Sequence, residues 1–143
     1  MANICLTVGA KVSAATMMTS INSIEGLKSW WTSDTSGDTA EGGTILFRFG
    51  GGGMDMKVLE STANTVSWQC TGGPDEWLGT TVSLSVEEKD GDSELMFKHA
   101  GWAAETPFHH HCSMKWASFL LSLKHYLETG QGRAFPNDIQ IAA

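Results

Sequence analysis

Apolar and polar residues alternate along the middle of the chain. Thr44–Gly50 sets Ile45, Phe47 and Phe49 on one face and Arg48 on the other. Met54–Glu60 sets Met54, Met56 and Val58 against Asp55 and Lys57, and Asn64–Thr71 sets Val66, Trp68 and Cys70 against Ser67 and Gln69. Trp77–Glu88 groups Val82, Leu84 and Val86, and Glu94–Trp102 groups Leu95, Phe97 and His99. A side-chain period of two belongs to a strand, and one apolar face opposite one polar face predicts antiparallel strands covered on a single side. Gly50–Gly53, Gly72-Gly73-Pro74 and Asp90-Gly91 supply the turn residues between them. Ile4–Val8 alternates in the same way and adds a first strand, six in all.

The pattern changes period at both ends of this run. Ala14, Met17, Met18, Ile21 and Ile24 follow helical spacing behind a Ser13 N-cap, and Ile24–Trp31 predicts a second short helix. Thr32–Gly43 is rich in Thr, Ser, Asp and Gly and reads as a loop. From His109 to Glu128 one stripe carries Cys112, Trp116, Phe119, Leu120, Leu123 and Leu127, which predicts a helix of about five turns. Gly130 ends it, and residues 131–143 read as an irregular tail. The expected fold is α+β. A curved six-stranded antiparallel sheet wraps a long C-terminal helix, two short helices follow the first strand, and residues 1–143 form one domain.

Composition narrows the function. The 143 residues hold 9 Lys+Arg against 16 Asp+Glu, a net charge of −7. Nucleic acid and anionic membrane surfaces are bound by clustered basic side chains, so neither is an expected partner. No window approaches the ~20 apolar residues of a membrane span, and no leader pattern opens the chain. Three widely spaced cysteines without a CxxC pair predict neither a disulfide framework nor a zinc knuckle. A cytoplasmic monomer or homodimer is the expectation.

Four segments in order resemble a known family: Gly26-Leu27-Lys28-Ser29-Trp30-Trp31-Thr32, Glu76-Trp77-Leu78-Gly79-Thr80, Phe97-Lys98-His99-Ala100-Gly101-Trp102, and Ser122-Leu123-Lys124-His125-Tyr126-Leu127-Glu128-Thr129-Gly130-Gln131-Gly132. Together they resemble the SRPBCC (START-like) superfamily, in the branch named after the C-terminal domain of the heat-shock protein 90 ATPase activator. The resemblance runs from about Leu6 to Pro136 and implies a helix-grip fold with an apolar cavity between sheet and helix. The superfamily is functionally diverse, so the fold alone assigns no activity.

Six tryptophans are the most informative composition feature. Inward strand positions and the helix stripe nominate Trp30, Phe47, Phe49, Met56, Trp68, Cys70, Trp77, Phe97, His99, Cys112, Trp116, Phe119 and Leu120 as the lining of a site for a small hydrophobic or aromatic molecule. The same residues would also serve as plain core. His99 is the candidate polar contact and the weak candidate base of an alternative reading, a cyclase- or hydrolase-like enzyme. A structural His bonded to backbone or to a nearby Trp or Cys is the simpler and favoured reading. Glu60, at a strand end, is a further carboxylate weighed as its partner, with a surface role favoured. His109, His110, His111 and Cys112 bring only two ligands to one helix face, short of a tetrahedral metal site. No metal or cofactor is expected. A third reading, a co-chaperone-like interaction module, would need an apolar outer sheet face, against which Arg48, Lys57, Gln69, Ser83, Ser85 and Lys98 argue.

Overall fold

The computed structural model describes residues 1–143. The chain runs β1 (Ala2–Ala10), α1 (Ala14–Ile21), α2 (Ile24–Trp30), β2 (Asp34–Gly37), β3 (Thr44–Phe49), β4 (Gly52–Ser61) and β5 (Thr65–Gly72). A 3₁₀ turn (Asp75–Trp77), β6 (Thr81–Lys89), β7 (Asp92–Trp102) and the long α3 (Pro107–Thr129) follow. All strands join one antiparallel sheet in the order β1-β7-β6-β5-β4-β3-β2. Register breaks in the β1–β7 and β4–β5 pairs mark bulges, which bend and twist a sheet and help it curve around a helix.

The alternation sets the inner face as expected. Ile45, Phe47, Met54, Met56, Val58, Val66, Trp68, Cys70, Val82, Leu84, Val86, Leu95, Phe97 and His99 are all buried. The α3 stripe closes over them with Cys112, Trp116, Phe119, Leu120 and Leu123 buried and Leu127 partly so. Burying Leu and Phe side chains is worth about 1.5–3 kcal/mol each, so this seam holds helix to sheet. Thr106 caps α3 by accepting from His109 N–H, Pro107 opens its first turn, and Gly130 ends it in the left-handed conformation.

Two elements depart from the pattern read in the sequence. The sheet has seven strands, because Asp34–Gly37 pairs with β3 inside the segment expected to be a loop. This edge strand carries polar side chains, so backbone hydrogen bonds specify it and no hydrophobic alternation betrays it. The strand expected to start at Trp77 starts at Thr81. A 3₁₀ turn and Gly79, with φ of 81°, come first. The Thr80 hydroxyl donates to the Trp77 carbonyl and holds this turn.

The tail lacks regular structure but is not loose at its start. Phe135 N–H donates to the Trp31 carbonyl, and the Phe135 carbonyl accepts from Ser33 N–H. Ser122 Oγ, on α3, donates to the Trp30 carbonyl and accepts from Arg133 N–H, tying α3, α2 and the tail together.

Candidate functional site

The middle of the grip is filled. Trp31, just past the end of α2, lies with its ring centroid 4.1 Å from Phe47, 4.7 Å from Trp116 and 6.2 Å from a stacked Trp68. The α2 periodicity points Gly26, Leu27 and Trp30 inward. Trp31 is the helix C-cap, where that periodicity stops. Trp30 instead plugs the α1–α2 corner, its indole N–H donating to the Ser20 carbonyl. The tryptophan pair in the Gly26–Thr32 motif was the available signal for Trp31.

Space remains at one mouth of the grip, where the β3–β4 turn, the 3₁₀ turn, the first half of α3 and the tail meet. This pocket has a volume of about 410 Å³, within the range of small-molecule sites. Of the expected lining residues it takes Phe49, Trp77, Cys112, Trp116 and Phe119. Trp30, Phe47, Met56, Trp68, Cys70, Phe97, His99 and Leu120 do not line it. They are buried side chains of the packed core. Residues the sequence reading passed over complete the walls: Trp31, Met54, Pro74, Phe108, His111, Lys115, Phe135, Asp138 and Ile141 among them. Phe135 and Ile141 belong to the tail, whose irregular sequence gave no periodic signal.

His99 sits behind the pocket wall. Trp116 Nε1–H donates to its Nδ1 at 3.1 Å, and its Nε2 lies 2.8 Å from Thr80 Oγ1. The Thr80 hydroxyl gives its single proton to the Trp77 carbonyl, so it accepts from Nε2–H. That chain fixes the neutral tautomer and uses both ring nitrogens. Burial first, and the neighbouring His109 second, bring the His99 pKa down to about 3. An imidazole so placed orients Trp116 and Trp77, and has no lone pair open to the pocket. Glu60, past the β4 bulge, is exposed and cannot partner it.

The two buried thiols are held in the protonated form. Burial pushes Cys112 up to about 11 and raises Cys70 above its ordinary value. No three His, Cys, Asp or Glu side chains converge to hold a metal ion. Within the His109–Cys112 run, His109 is buried against Trp102, His110 pairs with Glu105, and His111 faces the pocket. No helix is long and apolar enough to cross a membrane.

The pocket's charge is concentrated in one pair. Lys115 Nζ bonds Asp138 Oδ2 at 2.5 Å and the Ile139 carbonyl at 2.9 Å, and stands 4.8 Å from the Phe119 ring centroid. The remaining walls are dominated by aromatic and aliphatic side chains.

Residues 20–128 match the family model described as Activator of Hsp90 ATPase homolog 1-like protein. The chain is similar to the Aha1 protein of Colwellia psychrerythraea, solved as a dimer, at 43% identity and a TM-score of 0.85, covering 92% of this chain and 100% of that one. A protein from Staphylococcus saprophyticus has the same fold at 18% identity and a TM-score of 0.77, covering 93% and 97%. CalU16 from Micromonospora echinospora has it at 14% identity and a TM-score of 0.73, covering 90% and 77%. No protein of curated function matches by sequence.

Proposed function

The chain belongs to the Activator of Hsp90 ATPase homolog 1-like family, and from that premise we propose that it binds a small apolar or aromatic molecule at the mouth of the helix grip. The observation that carries this reading is the pocket itself: about 410 Å³, walled by Trp31, Trp77, Phe108, Trp116 and Phe119, with one ion pair at its edge. Aromatic walls with few fixed polar groups suit a ligand held by area and oriented by one polar contact. Binding is favoured over turnover because His99, the candidate base of the alternative reading, spends both nitrogens on the wall. The thiol that does face the pocket is held protonated.

Titration with flavonoids or polycyclic aromatics, followed by tryptophan fluorescence, tests the reading. Saturable quenching is expected. Phe119→Trp fills the pocket and should weaken it, whereas Lys98→Ala, on the exposed face of β7, should leave it unchanged. Equal affinity in wild type and Phe119→Trp would place the ligand elsewhere.

A further inference from the structure

Residues 138–143 form one wall of the pocket, yet a single side chain makes every hydrogen bond that joins them to the body. Every hydrogen bond from residues 138–143 to the rest of the fold comes from Lys115 Nζ, which donates to Asp138 Oδ2 and to the Ile139 carbonyl. The other bond there, from Gln140 Nε2 to the Asp138 carbonyl, is internal to the segment. Lys115 is also the sole Lys or Arg lining the pocket. The segment thus behaves as a strap with one latch, and the latch is the pocket's own cation.

The latch is incompletely satisfied. The Asp138 side chain is 5% exposed, and its second oxygen, Oδ1, is buried without a hydrogen-bond partner. A buried carboxylate oxygen left unpaired carries a desolvation penalty that release into water removes. A competing anion therefore has less to overcome at Lys115 than a fully bonded ion pair would impose. Such a competitor must also fill the aromatic floor beside Phe119 and Trp116.

We propose that the pocket selects amphipathic organic acids: an aromatic body lies against the pocket walls, and a carboxylate takes Lys115 from Asp138 and frees the strap 138–143. Binding and opening are then one exchange of carboxylates on one ammonium: Lys115 stays paired, Asp138 passes into water, and the complex gains the ligand's single negative charge. This rests on the ligand-binding reading of the same pocket and adds the ligand's charge and the gate.

Calorimetric titration of the 143-residue protein with naphthoate and with its neutral isostere naphthamide tests it. Wild type should bind the acid about tenfold more tightly than the amide: one carboxylate–ammonium bond replaces another, and the unpaired Asp138 Oδ1 is released into water. Lys115→Met should erase that preference, so that acid and amide bind with equal affinity. Asp138→Asn removes the competing anion and should strengthen acid binding and raise the acid-over-amide preference above that of wild type. Amide resonances of residues 139–143 should narrow in the acid complex and not in the amide complex. Equal affinity for acid and amide in wild type, or an Asp138→Asn variant that binds the acid no better, would overturn the proposal and leave the ligand site standing. Binding of neither probe would overturn both.

Discussion

His99 shows how one polar residue on an apolar face is accommodated. Its position beside Leu95 and Phe97 follows from strand parity, and its chemistry follows from what surrounds it there. With both nitrogens bonded and the ring buried, the neutral form is favoured and the folded-state pKa lies near 3, against an ordinary value of 6.5. Below pH 6.5 the unfolded chain takes up a proton that the folded chain refuses. The stability contributed by neutral His99 is therefore full above 6.5 and is lost as pH falls toward 3, with a slope of up to about 1.4 kcal/mol per pH unit. Urea denaturation at a series of pH values should show this slope reduced by close to one proton's worth in His99→Gln. An unchanged slope would mean that His99 is not the group responsible. The residue's burial was legible in the sequence. A tryptophan partner was also expected, but not which one, and Thr80 was not foreseen, because Trp116 comes from α3 and Thr80 from the turn leading into β6, and only the fold brings them together.

At the scale of elements, α2 is placed by a glycine. Gly26 is buried inside the helix, and a Cβ there would lie 2.5 Å from the Ser20 carbonyl oxygen and 2.6 Å from Ser20 Cα. Alanine is the better helix former by about 1 kcal/mol, so an exposed helical glycine would gain from substitution. Here the clash is with backbone, which can yield only by moving α1 against α2. Gly26→Ala should therefore lower stability in urea denaturation despite its favourable propensity. A gain would show that the two helices are not in the close contact described. The elements best read from sequence were those with a buried face: six strands and the α3 stripe. The polar edge strand Asp34–Gly37, the 3₁₀ turn before β6 and the packed tail have no such repeat. Each is specified by backbone hydrogen bonds or by contacts to distant elements.

For the molecule as a whole, the helix grip was legible and the position of its free space was not. Alternation and helical spacing settle which residues face inward, but they do not say how completely the inward side chains fill the interior. Trp31 settles that, by filling the centre against Phe47, Trp68 and Trp116 and leaving space at the mouth. The six tryptophans divide accordingly. Trp31, Trp77 and Trp116 line the pocket, while Trp30, Trp68 and Trp102 are buried away from it. A two-dimensional ¹H–¹⁵N spectrum of the indole N–H groups, recorded while an aromatic ligand is titrated in, reads all six at once. The account predicts progressive, saturable shifts for Trp31, Trp77 and Trp116, with Trp30, Trp68 and Trp102 held in place. Shifts confined to Trp30, Trp68 and Trp102, or no shift in any of the six, would contradict it.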